Sequence, residues 1–244
     1  MRSDLAFANV QEFLRFPGSP QSVRALDIGS GTGAMAVSLA RLGVHVTLLD
    51  SSPEMLDLAN RAAREAGVGA KIALQEGDAS RAANLFSGEF FDVIVCHNVL
   101  EFVDDPGAVL RSASEVMRDS SVLSVLVRTQ AGEVLKAAIQ AGDLAGARRS
   151  LAAEWGYESL FGGKVRLFTP ESLNSMLRQA ALRATATRGV RVISDYLPPT
   201  ISLDGEYERI LELERNLGSR PEFAAAARYA QLLVRRSQEP ERDT

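Results

Sequence analysis

Cysteine is almost absent from this chain of 244 residues, and with Cys96 alone no intramolecular disulfide framework can form. Histidine is nearly as scarce: His45 and His97 are the only two, which argues against a zinc centre built from Cys and His, so no metal is expected. No apolar run approaches the roughly 20 residues that a membrane span requires. The start, Met1-Arg2-Ser3-Asp4, lacks the charged, apolar and small-residue order of a signal peptide, so a cytoplasmic protein with no membrane association is the expectation. A general excess of positive charge is missing too. The net charge of −4 argues against a protein that coats nucleic acid without selectivity, although residues 128–191 carry ten Lys or Arg against five acids. Internal repeats and low-complexity segments are also absent.

What is present is the composition of a globular protein, 46% hydrophobic and 24% charged, arranged as short apolar runs alternating with helix-length amphipathic segments. The spacing predicts strands over 23–28, 44–49, 71–75, 91–97 and 122–127. Helices are expected from Ala34 to Leu42, from Pro53 to Gly67, and from Asp105-Pro106 to about Arg118. Residues 130–170 read as an insertion, Ala-rich and helical at first, then aromatic and glycine-rich in Trp155-Gly156-Tyr157 and Phe161-Gly162-Gly163. Thr169-Pro170 opens a helix to about Ala180. Beyond it, 183–193 is β-like in its second half, Tyr207–Leu217 is helical, and 229–235 supplies a last strand. The expectation is one α/β domain over 1–236, a doubly wound, seven-stranded, mostly parallel sheet, with a cofactor half at 23–127, a helical insertion at about 130–170, a substrate half at 171–236 and a disordered tail at 237–244.

The chemistry concentrates where predicted strands end. Asp27-Ile28-Gly29-Ser30-Gly31-Thr32-Gly33 is a strand-to-helix turn whose glycines let the backbone approach a ligand and adopt positive φ. Its G-x-G-x-G spacing differs from the G-x-G-x-x-G of a dinucleotide fingerprint, and the acid two residues before the first glycine suits an ammonium group rather than a phosphate. That matches the methionyl arm of S-adenosylmethionine. Asp50, with Ser51 beside it, closes the second strand near the offset at which an acid meets ribose hydroxyls. Asp78 and Ala79 follow the third strand, where an acid can accept from an adenine amino group, and His97, Asn98 and Glu101 follow the fourth. Taken singly, each has a plain reading: a tight turn, a helix cap at Asp50, a turn cap at Asp78, a packing residue at His97, a buried small hydrophobe at Cys96. Their order at successive strand ends, where open α/β sheets bind ligands, favours a site.

On these motifs, residues 23–127 resemble a class I S-adenosylmethionine-dependent methyltransferase. The resemblance implies Gly29 and Gly31 against the methionyl and ribose portions, Asp50 on the ribose, Asp78 and Ala79 on the adenine, and His97 or its neighbours lining the methyl-transfer site.

The second half, in Gly189-Val190-Arg191-Val192-Ile193-Ser194-Asp195-Tyr196-Leu197, Tyr207–Glu214 and Arg228–Leu233, is similar to the bacterial tRNA carboxymethoxyuridine methyltransferase family. That family esterifies a carboxylate on the wobble uridine, which implies tRNA as the partner. A carboxylate is already an anionic nucleophile near neutral pH, so no general base is needed and catalysis reduces to positioning. Arg128, Arg166 and Arg191 are the candidate cations, and Tyr196 a donor or stacking ring. Two alternatives stay open: a methyltransferase for a small carboxylate or hydroxyl metabolite, with Trp155–Phe161 as a lid, and a binding module that transfers nothing.

Overall fold

The computed structural model describes residues 1–14, 20–158, 163–198, 200–201 and 205–237. Nine strands are present among them: β1 (Arg24–Ile28), β2 (His45–Asp50), β3 (Ile72–Glu76), β4 (Phe91–His97), β5 (Met117–Arg128), β6 (Trp155–Glu158), β7 (Gly163–Arg166), β8 (Leu182–Val190) and β9 (Tyr229–Arg236). Seven form one sheet in the order β3-β2-β1-β4-β5-β9-β8, and β6 pairs with β7 as a separate hairpin. Neighbours from β3 through β5 run parallel, while β9 is antiparallel to both β5 and β8. The chain leaves β1 toward β2 on one side and returns to β4 on the other. A crevice therefore opens where the carboxyl ends of β1 and β4 diverge, at the topological switch point.

Helices cover both faces because the central strands are apolar on both. On one face α1 (Arg2–Phe13), α2 (Ala34–Arg41) and α3 (Pro53–Glu65) bury Leu5, Leu39 and Leu56 against Val46, Val95 and Leu126. On the other, α4 (Ala82–Leu85), α5 (Pro106–Glu115) and α8 (Pro170–Gln179) bury Ala82, Leu110 and Leu173 against Ile94, Leu123 and Val234. The remaining helices are α6 (Gln130–Leu135), which continues as a π turn over Lys136–Gln140, α7 (Leu144–Ser150), α9 (Tyr207–Gly218) and α10 (Pro221–Ala224). None is long and apolar enough to cross a membrane, among the described residues.

Local chemistry sets several boundaries. Ser52 accepts from the Met55 N–H with Pro53 behind it, Asp105 accepts from Ala108 with Pro106 behind it, and Thr169 forms a reciprocal capping box with Ser172.

The structure departs from the sequence reading in four places. Helix α1 is additional; Leu5, Ala6, Asn9 and Val10 are buried at helical spacing although Gln11 and Glu12 interrupt the apolar run. The stretch expected as a helical insertion is helical only to Ser150 and then turns into the β6–β7 hairpin. Strand β8 occupies the first part of the segment expected to be β-like in its second half, and it stops at Val190 because Arg191 takes a left-handed φ of 61°. Strand β5 begins at Met117, five residues before its apolar run, beside a register shift opposite Phe91 and Val93. Phe161, Gly162, Pro199 and the tail beyond Ser237 lie outside the described residues.

Candidate active site

Two cavities meet at the carboxyl edge of the sheet. The larger, about 410 Å³, is lined by Asp27 in β1 and Gly29, Ser30 and Gly31 after it, His97 at the end of β4 with Asn98 and Glu101 after it, Arg128 at the end of β5, and Arg2 of α1. The smaller, about 290 Å³, holds Asp50, Ser51, Asp78 and Ala79. Gly29, Asn98 and Phe102 border both, so the two make one elongated trough.

The glycines act differently. Gly29 has φ 64°, its N–H donates to the Leu49 carbonyl at 2.7 Å, and a Cβ there would meet Val99 Cγ2 at 2.3 Å. Gly31 has φ 51° with nothing within 4 Å of a built Cβ, so its bare α-carbon opens onto the trough. Gly33 is the left-handed N-cap of α2, is not in the lining of either cavity, and packs on Ala59 of α3.

Asp50 is oriented by backbone: Oδ2 accepts from Gly31 N at 2.9 Å and Oδ1 from Ser52 N at 3.0 Å. The cap of α3 is Ser52, not Asp50. Each Asp50 oxygen keeps a lone pair for a hydroxyl. Asp78 is exposed, caps the short turn after it through the Ser80 N–H, and is held below the usual carboxylate range by the Ser80 hydrogen bonds. Asp27 is buried and its Oδ2 has no partner. Burial, and then the charge of Asp50, push its carboxyl up to about 7.

His97 sits at the end of β4 with Nε2 2.8 Å from Ser124 Oγ. Burial, reinforced by the charge of Arg2, drives its pKa down to about 3, so the ring is neutral. Glu101 is 2% exposed; Oε1 accepts from Asn98 Nδ2 and from Arg128 N, both at 2.8 Å, while Oε2 has no partner and burial raises its pKa. Asn98 adopts the left-handed φ of 55° that lets it make that bond.

The structure separates the expected cations. Arg128 lines the trough, with Nη1 3.5 Å from the Tyr157 carbonyl. Arg166 lies 4.5 Å over the Trp155 ring. Arg191 and Tyr196, expected on the rim of the methyl-transfer pocket, are not in its lining. The left-handed turn at Arg191 sends its guanidinium onto Asp195, and Tyr196 Oη lies 3.5 Å from the Gly132 carbonyl. Glu214 of α9 imposes that course by accepting the N–H groups of Val192, Ile193 and Ser194 at 2.7, 3.0 and 2.7 Å. Of the aromatic segment, Trp155 is 45% and Tyr157 64% exposed and neither lines the trough, whereas Val165 of β7 reaches it. Sequence reasoning missed Arg2, whose only signal is its place at the head of a helix that buries Leu5, Ala6 and Val10.

The methyltransferase-domain family matches residues 1–187. The chain belongs to that family. It is an S-adenosylmethionine-dependent methyltransferase, as the order of motifs implied. The enzyme is 29% identical over 226 residues to the tRNA 5-carboxymethoxyuridine methyltransferase of Escherichia coli K12, an alignment covering 90% of this chain and 82% of that protein. It is 35% identical over 118 residues to the ubiquinone biosynthesis O-methyltransferase of Xanthomonas axonopodis pv. citri, covering 48% of each. Among solved structures, the CcbJ methyltransferase from Streptomyces caelestis superposes with a TM-score of 0.62 at 17% identity, covering 97% of this chain and 89% of that one, which establishes a shared fold.

Proposed function

We propose that this enzyme methylates a carboxylate oxygen of a modified wobble uridine in tRNA. The observation that carries the acceptor's charge is the make-up of the trough: Arg2 and Arg128 line it together with a histidine held neutral. Cations beside a ring that is already deprotonated suit an acceptor that brings its own negative charge. The similarity to the tRNA methyltransferase runs through both halves of the chain, whereas that to the ubiquinone enzyme covers half of it.

The residues fit S-adenosylmethionine. The unpartnered Asp27 oxygen offers its ammonium an acceptor, and the open face of Gly31, with Gly29 behind it, leaves room for the methionyl and ribose portions. Asp50 and Ser51 would take the ribose, Asp78 and Ala79 the adenine, while Gly33 contributes packing rather than contact. When bound, S-adenosylmethionine supplies a sulfonium methyl whose transfer to a carboxylate releases no proton. The work left to the protein is to hold the two charges in line and keep water out. Arg128 and Arg2 hold the anion, and His97 borders the reacting atoms without acting as a base. Arg191 and Tyr196 stay outside this assignment.

The test is to incubate purified enzyme with methyl-labelled S-adenosylmethionine and tRNA from a strain lacking the gene, beside an extract of small metabolites. An alkali-labile label on the wobble uridine is expected. Label confined to the metabolite arm would overturn the tRNA acceptor.

A further inference from the structure

On the face of the sheet that α1 covers, β4, β5 and β9 each place a buried or half-buried polar side chain next to apolar ones. His97 follows Val93 and Val95, Ser124 precedes Leu126, and Gln231 lies two residues from Tyr229, all on the side packed by Ala6 and Val10. Ser124 and Gln231 are fully buried. A buried polar row of this kind persists only where its hydrogen bonds are complete, and here they are. Gln231 Nε2 donates to the Ala6 carbonyl at 3.0 Å and to Ser124 Oγ at 2.9 Å, and its Oε1 accepts from Asn9 Nδ2 at 2.8 Å.

The chain of donors has a direction. A backbone carbonyl only accepts, so the amide nitrogen of Gln231 must face Ala6, and its second hydrogen goes to Ser124. Ser124 Oγ, accepting there, has one hydrogen to give, and its other partner is His97 Nε2 at 2.8 Å. Nε2 is thus the acceptor. The ring proton is left on Nδ1, for which no protein partner exists among the described residues, on a side chain that borders the trough. Were Nε2 protonated instead, Ser124 would receive two donors and its own hydrogen would be stranded in the core.

We propose that Ser124 and Gln231, braced by Asn9 of α1, are positioning residues that fix His97 as its Nδ1–H tautomer, so that the ring donates a hydrogen bond to the anionic methyl acceptor. The proposal rests on the reading of the acceptor as an anion. It explains why a histidine beside the reacting centre cannot be the base: the lone pair that would accept a proton is spent on Ser124. The other titratable groups lining the larger cavity, where His97 lies, are Arg2, Asp27, Glu101 and Arg128. Of these the two guanidiniums oppose a charge on the ring and the two carboxyls favour one, so the orientation rests on the relay rather than on any single neighbour.

The chain has two histidines, which makes the measurement clean. Long-range proton–nitrogen correlation spectra of the 15N-labelled full-length protein are expected to show His97 protonated on Nδ1 and bare on Nε2, unchanged between about pH 5 and pH 8. In Ser124→Ala, His97 should become a mixture of tautomers. The KM for tRNA from a strain lacking the gene should rise by about tenfold, the worth of one hydrogen bond to a charged group, with the Kd for S-adenosylmethionine unchanged. Ser124→Thr, which keeps the hydroxyl, should restore both. A wild-type ring protonated on Nε2, or titrating in that range, overturns the proposal, as does Ser124→Ala with unaltered tautomer and KM. An Nδ1–H ring in an enzyme that leaves tRNA unmethylated overturns the acceptor reading instead.

Discussion

The two halves of the sheet edge are built by different means. From β1 to β4 the candidate cofactor residues lie within a few positions of a strand end, and backbone groups orient them: Asp50 by the N–H of Gly31 and Ser52, Asp78 by the N–H of Ser80. Beyond β5 side chains distant in sequence do this work. Glu214 holds residues 192–194, Thr129 Oγ1 donates to the Ala227 carbonyl at 2.6 Å, and Arg228 pairs with Glu133 at 2.7 Å. A site made from local turns tolerates change elsewhere in the fold. One made from long-range buried bonds fails as a unit, so damage to the second half should register first as lost stability and damage to the first half as lost binding.

The largest expected effect breaks the second half. Glu214→Ala strands three N–H groups around a fully buried position, each of which costs about 1–3 kcal/mol when left unpaired, so a net loss of about 3–5 kcal/mol is expected in urea unfolding. Glu214→Gln, which still presents a carbonyl to Ile193 and Ser194, should lose less than half as much. Equal losses would show that the charge itself, not the geometry, holds the turn.

The next pair sharpens the contrast within the first half. Gly29→Ala combines a left-handed φ with a 2.3 Å approach to Val99, so about 2–4 kcal/mol of stability is expected to go. Gly31→Ala has the same backbone penalty, about 1 kcal/mol, and no clash. Its methyl group would instead occupy the trough, so cofactor affinity should fall more than stability does. Calorimetric binding and thermal unfolding of the two variants check this; the reverse ranking would move the ligand away from Gly31.

A third effect is linked to pH. Burial and the charge of Asp50 push the Asp27 carboxyl from its ordinary value of 3.8 up to about 7, so the fold carries an electrostatic penalty that grows as pH rises from about 4 to about 7 and is complete above that. A ligand ammonium beside Asp27 requires the ionised form and removes the penalty. Affinity for S-adenosylhomocysteine should therefore weaken by up to about tenfold between pH 7 and pH 6, with a proton released on binding. Titrations in two buffers of different ionisation enthalpy would detect that proton, and Asp27→Asn should abolish both the release and the slope.

How far the sequence speaks follows the same division. Helices α2, α3 and α8 begin at Ala34, Pro53 and Pro170 as read, and β4 runs from Phe91 to His97 as read, because caps, prolines and apolar runs are local signals. The trough at the ends of β1 to β4 was legible for the same reason. Helix α1 was not, since its buried stripe of Leu5, Ala6, Asn9 and Val10 is short and includes a polar residue whose partner, Gln231, is at the other end of the chain. Nor was the β6–β7 hairpin, whose aromatics stay largely exposed. Ser124 and Gln231 carried a faint signal as polar residues inside the apolar runs Val122–Val127 and Ala230–Val234, visible as a network only once the strands are paired.

Arg191 tests the division most finely, because its place in the second-half resemblance suggested a cation facing the acceptor. Its carbonyl accepts from Arg228 N at 3.0 Å and its guanidinium pairs with Asp195, so both ends serve the turn that Glu214 organises. A non-glycine residue in the left-handed region holds about 1 kcal/mol of backbone strain, so Arg191→Gly should lose the ion pair and regain that strain, leaving stability within about 1 kcal/mol of the parent. Turnover should change by less than about threefold, under about 0.7 kcal/mol of transition-state stabilisation, whereas removing Arg128 from the trough should affect tRNA methylation far more. Steady-state kinetics of Arg191→Gly and Arg191→Ala with tRNA decide the matter. A tenfold loss in kcat/KM at unchanged cofactor affinity in both variants would put Arg191 on the acceptor after all, and would mean that the turn at 191–196 reorganises when tRNA binds.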